Sequence, residues 1–202
     1  MPESGLIYGT FIDPLLNSMR KRISGLIDPN LSIIDIACGT GAQAIEFARF
    51  SKKVTGIDLS ESMIRYGKEK ALKNNLKNTE FFVFDATDLS IFPDKSFDLA
   101  SLSLALHQLP PMFYSSVINE MRRVSKKLLV FDYAVPLPGN LAGVVSRIAE
   151  FLAGKEHLDN FKSYNKSGGL KKILESHQIK IEKSVLLGQK AFELVICKPD
   201  NL

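Results

Sequence analysis

The sequence has few of the features that mark secreted, membrane-spanning or nucleic-acid-binding proteins. Cys38 and Cys197 are its only cysteines, too few for a disulfide framework. No run approaches the ~20 apolar residues of a membrane span, and the first residues lack the basic and apolar regions of a signal peptide. The formal charge is +4, and the lysines are dispersed in pairs rather than gathered in one stripe. We therefore expect a cytoplasmic protein with no membrane span and no nucleic-acid partner.

The most informative segment that is present is an apolar strand followed by a glycine turn. Residues 33–41 read Ile-Ile-Asp-Ile-Ala-Cys-Gly-Thr-Gly. Gly39 and Gly41 allow a tight turn and the close approach of a ligand. The helix predicted after Gly41 directs its N–H groups and the positive end of its dipole at that ligand. We therefore expect an anionic group to bind at this turn.

The turn alone leaves a nicotinamide enzyme in contention. Gly39, Gly41 and Ala44 satisfy the loose dinucleotide pattern G-x-G-x-x-G/A. Asp35, however, lies four residues before the first glycine, where its negative charge would face a pyrophosphate. A carboxylate at this position favours a cationic ligand group instead.

Two further aspartates follow the next predicted strands. Asp58 ends the strand Val-Thr-Gly-Ile-Asp, and Asp85 ends the strand Phe-Phe-Val-Phe-Asp. Strands of a parallel sheet end at one edge, so Asp35, Asp58 and Asp85 are expected together where ligands of open α/β sheets bind. This arrangement suits S-adenosylmethionine, with Asp35 for its ammonium, Asp58 for its ribose and Asp85 for its adenine amine. Any one of these aspartates could instead only cap the following helix.

Four spaced motifs together resemble the class I S-adenosylmethionine-dependent methyltransferases. They begin at Asp35, Gly56, Phe84 and Phe97, and the resemblance covers most of residues 30–135. It implies that the glycine turn lies beneath the methionine portion of the cofactor and that Ser103 stands where many relatives have asparagine. The cofactor-binding residues that it implies are Tyr8, Asp35, Ala37, Gly39, Thr40, Gly41, Asp58, Leu59, Met63, Asp85, Ala86 and Ser103.

The order of apolar and amphipathic segments predicts an α/β fold. Strands alternate with helices up to residue 133, which predicts a Rossmann-like, mostly parallel sheet of seven strands with helices on both faces. Two last strand-like runs, 179–187 and 191–197, predict an antiparallel C-terminal hairpin. We expect one methyltransferase domain over 1–202, with an N-terminal helical lid at 1–29 and an acceptor-side insertion at 136–170. Residues 140–153 and 167–176 look helical, and a polar and aromatic segment separates them.

His107 is the candidate catalytic residue. Methyl transfer is an in-line displacement that needs alignment and desolvation, and a base only when the acceptor is protonated. His107 follows the fourth strand and could act as that base, or could only position its loop. His157, Phe161 and Tyr164 could contact an acceptor or pack at helical spacing. Tyr8 and Phe11 could cover the cofactor or pack on the first helix.

The remaining signals point to a small-molecule acceptor. Residues 101–107 lack the Asp/Asn-Pro-Pro-aromatic signature of enzymes that methylate nucleic-acid amines, and residues 101–119 contain no glutamate of the kind that protein-arginine enzymes need. The sequence predicts no metal site. It leaves open the methylated atom, the oligomeric state, and a protein that binds S-adenosylmethionine without turnover; a nicotinamide dehydrogenase is the third alternative.

Overall fold

A computed structural model describes residues 13–198, and describes side chains from Leu16 onward. It contains one seven-stranded sheet with the order β3-β2-β1-β4-β5-β7-β6. The strands are β1 (Ser32–Ile36), β2 (Lys53–Asp58), β3 (Thr79–Val83), β4 (Phe97–Ser103), β5 (Ser125–Tyr133), β6 (Lys180–Leu187) and β7 (Phe192–Lys198).

The sheet has the predicted mixture of directions. Strands β1 to β5 pair in parallel, whereas β7 pairs antiparallel with both β5 and β6. The predicted fold class, including the C-terminal hairpin, is therefore confirmed. The strand order reverses between β1 and β4, and a reversal of this kind opens a crevice at the carboxyl ends of the two strands.

Helices connect the strands and cover the sheet. They are α1 (Asp13–Ser24), α2 (Ala42–Ala48), α3 (Glu61–Lys73), α4 (Tyr114–Val124), α5 (Leu141–Leu152), α6 (Lys155–Lys166) and α7 (Gly169–Ser176). Helix α3 begins as its sequence indicates, because the Ser60 side chain accepts a hydrogen bond from the Met63 N–H. One expectation was incomplete: the polar and aromatic segment between the helices predicted at 140–153 and 167–176 is itself the helix α6.

The apolar core lies in two clusters, one on each face of the sheet. Alternation along β1 places Ile34 and Ile36 in one cluster and Ile33 in the other. Helix α4 packs Val117, Ile118 and Met121 into the first cluster, which also receives α6 and α7. Both faces of the central strands are thus covered, as a parallel sheet requires.

Helix α5 is amphipathic, but its polar side faces the protein and its apolar side faces solvent. Its inward-facing residues include Ser146 and Glu150, which are buried. Its outward face carries the large apolar side chains Leu141, Val144, Val145, Ile148, Phe151 and Leu152, all exposed. Apolar packing therefore contributes little to the attachment of α5, and polar contacts on its inner side carry more of it.

Within residues 13–198, no helix combines the length and the hydropathy that crossing a bilayer requires.

Candidate cofactor and acceptor site

The turn after β1 has an unusual backbone. Ala37, Gly39 and Gly41 all have positive φ angles, of 51°, 53° and 70°. Ala37 is not a glycine, so it holds a backbone conformation that costs free energy and that tight ligand-binding turns often contain. At Gly39, no described atom other than those of the glycine and its two chain neighbours lies within 4 Å of the position that a Cβ would take. The turn therefore presents open space on the side of Gly39.

The other side of the turn is filled by one ring. A Cβ on Gly41 would lie 2.7 Å from Cε1 of Phe81, and a Cβ on Gly56 would lie 2.6 Å from its Cδ1. A Cβ on Gly67 of α3 would lie 3.2 Å from Cε1 of the same ring. We call Phe81 with these three glycines the Phe81 packing unit. It fixes the height of the turn above β2 and β3, because each glycine lets the backbone approach the ring.

Asp58 at the end of β2 holds the turn. Its Oδ2 accepts a hydrogen bond of 2.8 Å from the N–H of Gly39, and its Oδ1 accepts one of 2.9 Å from the N–H of Ser60. The carboxylate is half-buried beside the open space at Gly39. Each carboxylate oxygen can accept more than one hydrogen bond, so Asp58 can hold the turn and still accept from hydroxyls of a ligand.

Asp35 and two serines form a buried polar group at the reversal between β1 and β4. Asp35 pairs with Ser101 across the two strands, and Ser103 ends β4. Both carboxylate oxygens of Asp35 and the hydroxyls of both serines are buried without a hydrogen-bond partner in the described residues. Burial raises the pKa of Asp35 to about 7, although Ser101, close but outside hydrogen-bond geometry, and Arg20 both lower it.

Asp35 is also more enclosed than its predicted role requires. Only 1% of the residue is exposed, and the backbone of Ala44 at the start of α2 contacts its carboxylate. Asp35 therefore lies beneath the glycine turn, and direct contact with a ligand ammonium stays a prediction. Unpaired buried polar atoms are costly, so this group marks the reversal point as a place for a further polar partner.

Asp85 lies two residues beyond the end of β3, not on its last residue as the sequence suggested. It is exposed, and its Oδ1 accepts hydrogen bonds of 2.8 Å from both the N–H and the hydroxyl of Thr87. These bonds shape the turn after β3, and the neighbouring Ala86 packs against the core. An adenine-binding role for both residues stays a prediction.

The other predicted cofactor residues are placed as follows. Thr40 is buried in the turn, Met63 is half-buried in the first turn of α3, and Leu59 is largely exposed just before that helix. Exposure of a single apolar side chain is ordinary, so a cofactor contact of Leu59 stays a prediction. Tyr8 and Phe11 lie outside the described residues.

His107 is buried and tied to β5. Its backbone N–H donates to Asp132 Oδ2 at 3.1 Å, and its Nδ1 lies 2.5 Å from Asp132 Oδ1. Burial alone lowers the pKa of His107, but the Asp132 and Glu150 carboxylates outweigh it and raise the pKa above its usual value. With only 2% of the residue exposed, His107 fixes the loop after β4 to β5.

Two acidic residues beside His107 were missed by the sequence analysis. Asp132 interrupts the apolar run of β5, which is the signal that could have identified it as a functional carboxylate. Glu150 lies 3.6 Å from His107 Nε2 and 2.8 Å from His157 Nε2. Phe161 and Tyr164 are buried and pack in the core, as one of their two interpretations predicted, and contact of either with an acceptor stays a prediction.

An apolar cavity of about 550 Å³ lies beyond the end of β5, between α5 and α6. Val135, Leu137, Leu158 and Phe161 form its apolar wall, and Arg147 contributes a cation. Since β5 is parallel to β1 and β2 and ends at the same edge of the sheet, the cavity lies at the edge that carries the glycine turn.

Residues 33–127 match the family model described as a methyltransferase domain. A demethylmenaquinone methyltransferase from Listeria monocytogenes is 31% identical over 148 residues, which are 69% of this chain and 61% of that protein. The chain thus spans about three fifths of the length of such curated relatives. A methyltransferase structure from Aquifex aeolicus superposes with a TM-score of 0.66 at 19% identity, covering 89% of each chain. The chain carries a class I S-adenosylmethionine-dependent methyltransferase domain.

A magnesium protoporphyrin IX methyltransferase from Synechocystis, solved with bound S-adenosylhomocysteine, also shares the fold. It superposes with a TM-score of 0.64 at 18% identity, covering 93% of this chain and 83% of that one. The matched family region contains every predicted cofactor residue from Asp35 to Ser103. It ends before α5 and α6. Residues 136–170, which the sequence predicts as the acceptor side, therefore lie outside the part that the family model describes.

The described residues of the domain fit the cofactor that the family implies. The space at Gly39 is open, Asp58 stands beside it with acceptor capacity, and the hydroxyl of Ser103 is buried without a partner. A ligand with hydroxyl and ammonium groups and no phosphate would find acceptors here, whereas a pyrophosphate would meet two carboxylates.

Proposed function

We propose that this domain transfers a methyl group from S-adenosylmethionine to a small-molecule acceptor. The observation that carries the proposal is the open space at Gly39, bordered by the Asp58 carboxylate that holds the same turn. The bound cofactor supplies a methyl group on a sulfonium, which is already activated for displacement. What the chain must provide is alignment of the two reactants and exclusion of water.

The residues divide these tasks. Asp58 fixes the turn through Gly39 and accepts from the ribose hydroxyls, so the same carboxylate sets both the turn and the ligand that rests on it. The Phe81 packing unit keeps the turn from moving away from the sheet. We assign His107 to positioning: two contacts with Asp132 hold it, and its burial keeps it from an acceptor as the structure stands.

We propose that the acceptor is apolar with a polar or anionic end. The cavity beyond β5 has apolar walls of a size suited to a small ligand, and Arg147 and Lys162 lie at its lining. The Listeria relative is named for a demethylmenaquinone, and the Synechocystis neighbour for a magnesium protoporphyrin. Residues 136–170 would then form the acceptor side of one domain, in agreement with the insertion predicted there. A cytoplasmic location also stays a proposal, based on the sparse cysteines.

Calorimetric titration with S-adenosylmethionine, S-adenosylhomocysteine and NAD tests the cofactor assignment. We expect the first two to bind and Asp58→Ala to weaken both by at least tenfold. Asp98→Ala is the matched control, because Asp98 lies on β4 with its carboxylate bound to Ser32 and Lys126. Binding of NAD alone, or equal weakening by both variants, would contradict the proposal.

Transfer of an isotope-labelled methyl group to a panel of apolar acceptors tests turnover. We expect labelled product from acceptors with an anionic end, and we expect Arg147→Ala to raise KM for these acceptors more than it lowers kcat. Asn165→Ala, which changes a neutral residue at the same cavity, is the control. Tight cofactor binding with no transfer to any acceptor would favour a binding protein without turnover.

A further inference from the structure

Three side chains from three elements converge beside β5. His107 lies on the turn after β4, Glu150 on α5 and His157 on α6. One nitrogen or oxygen from each lies within 4.8 Å of the others. We propose that His107, Glu150 and His157 bind a divalent transition-metal ion, and that Zn²⁺ is the ion whose preferences they fit best.

The orientation of His107 is that of a metal ligand. Its Nδ1 contacts Asp132 at 2.5 Å, so Nε2 is the nitrogen turned toward Glu150. Nε2 and Glu150 Oε1 are 3.6 Å apart, beyond hydrogen-bond distance. A carboxylate on the far nitrogen of a metal-binding imidazole fixes the ring and raises its basicity, and Asp132 is placed to do this.

Glu150 supplies an independent observation. It is only 4% exposed, and its Oε2 is buried without a hydrogen-bond partner among the described residues. His157 Nε2 lies 2.8 Å from this oxygen as an ion pair outside strict hydrogen-bond geometry. Burial raises the pKa of Glu150, but contacts with His157, His107 and Tyr133 outweigh it and lower the pKa, so the carboxylate is held in its charged form. A buried carboxylate normally has its oxygens satisfied. A cation between Glu150 and the two imidazoles would satisfy this one.

The donor set and the distances fit zinc. Zinc bonds of about 2.0–2.2 Å in tetrahedral geometry put neighbouring donor atoms roughly 3.3 Å apart. His107 Nε2 lies 3.6 Å from Oε1 of Glu150 and His157 Nε2 lies 2.8 Å from its Oε2, and all three donor groups lie within 4.8 Å of one another, so small side-chain adjustments would bring them to that spacing. Two imidazoles and one carboxylate leave the fourth position for water or for an oxygen of a ligand. Mg²⁺ prefers oxygen donors alone and fits poorly.

Such an ion would join the acceptor side to the sheet. Helix α5 turns its apolar face to solvent, and the side that faces the protein carries the buried residues Ser146 and Glu150. The Ser146 hydroxyl donates to a carbonyl of its own helix, which leaves Glu150 as the inward polar group able to bind another element. Phe161, which lines the apolar cavity, packs edge-on to His107. The metal would therefore fix α5 and α6 at the cavity.

The test uses metal-free protein prepared by dialysis against a chelator. Zn²⁺ binding is measured by calorimetry, and Co²⁺ binding by its visible absorption. The variants are Glu150→Gln and His157→Gln, whose ring is partly exposed and tolerates replacement. The matched control is His177→Gln, because the sequence has three histidines and the third bonds Ser115 and a carbonyl of α7, outside the cluster.

We expect one Zn²⁺ per chain in the wild type and in His177→Gln. Loss of an outer partner alone weakens metal sites by about 10–100-fold, so both cluster variants should weaken Zn²⁺ by at least about that much. Co²⁺ should show no sulfur charge-transfer band, and excess Mg²⁺ should not compete. Because cofactor affinity is not a readout, the result is independent of the proposed function.

Three results would overturn the proposal. The first is no Zn²⁺ binding to the wild type, which would identify the cluster as an ion-pair network alone. The second is equal weakening in His177→Gln and His157→Gln, which marks nonspecific binding by imidazoles. The third is a sulfur charge-transfer band, which would move the site to Cys38 or Cys197.

Discussion

Replacing Asp35 by asparagine should stabilise the ligand-free protein at neutral pH. Burial raises the pKa of Asp35 from 3.8 to about 7, so the folded state holds a proton that the unfolded chain has released. The folded state therefore loses stability as the pH rises from about 4 to 7, and the loss is constant above that range. At about 1.4 kcal/mol per pKa unit, the full cost is about 4 kcal/mol. Asparagine has nearly the shape of the neutral acid and carries no charge, so the variant does not incur this cost.

Urea unfolding at several pH values measures this effect. Asp35→Asn should exceed the wild type by about 2 kcal/mol at pH 5 and by about 4 kcal/mol at pH 7 and 8, and should match it near pH 4. A difference that does not change with pH would refute the reasoning, because it would show that the carboxylate is already ionised at little cost. Adding S-adenosylmethionine should reduce the advantage if its ammonium approaches Asp35.

Asp98→Asn is the control with the opposite sign. Hydrogen bonds from Lys126 and Ser32 lower the pKa of Asp98 to about 2. Its contribution to stability is present above the ordinary pKa and is lost as the pH falls through the folded value. Asp98→Asn should therefore destabilise the protein at pH 7, and the loss should shrink as the pH falls toward 2. Equal pH profiles for the two variants would contradict both assignments.

Three further predictions concern the turn, the core and the loop after β3. Gly39→Ala should lower the unfolding free energy by about 1 kcal/mol because of its positive φ, and it should strongly weaken S-adenosylmethionine binding in calorimetry. Gly56→Ala, whose Cβ would meet Phe81, should lower the unfolding free energy by about 1–3 kcal/mol. A larger loss of stability in Gly39→Ala than in Gly56→Ala would contradict this packing. Tyr164→Phe should lose about 1–3 kcal/mol in urea unfolding, because its buried hydroxyl donates to the Tyr133 carbonyl and accepts from the Leu170 N–H. Arg123→Met should speed amide exchange over residues 85–92, since Arg123 binds the carbonyls of Leu89 and Phe92; unchanged exchange there would exclude this anchoring role.

The sequence predicted the central sheet well, because contiguous residues determine its strands and its glycine turn. The apolar strand before the glycine turn and the turn through Gly41 are short-range features, and the structure contains them as expected. The antiparallel hairpin could also be predicted, since two apolar runs with a short turn between them have few alternatives.

The part of the fold that contains α5 and α6 was less accessible to sequence analysis. The period of α5 predicts a helix, but it does not say which side faces the protein, and here the polar side with Glu150 is buried. The cluster of Asp132, His107 and Glu150 joins residues up to 43 positions apart, and no sequence spacing specifies that contact. The enclosure of Asp35 depends on how the turn packs on α2, which is likewise a tertiary property.

The Phe81 packing unit has a consequence for how this protein can vary. Because one ring occupies the space that three missing Cβ atoms would fill, the four positions form one epistatic unit. An alanine at Gly56 fits only after the ring is replaced by a smaller side chain, and the smaller side chain alone leaves a cavity. An alanine at Gly41 would in addition keep the strain of its positive φ. Evolutionary drift in this part of the fold should therefore proceed through paired changes. In a double-mutant cycle on Phe81 and Gly56, the double variant should lose less unfolding free energy than the sum of the losses in the two single variants.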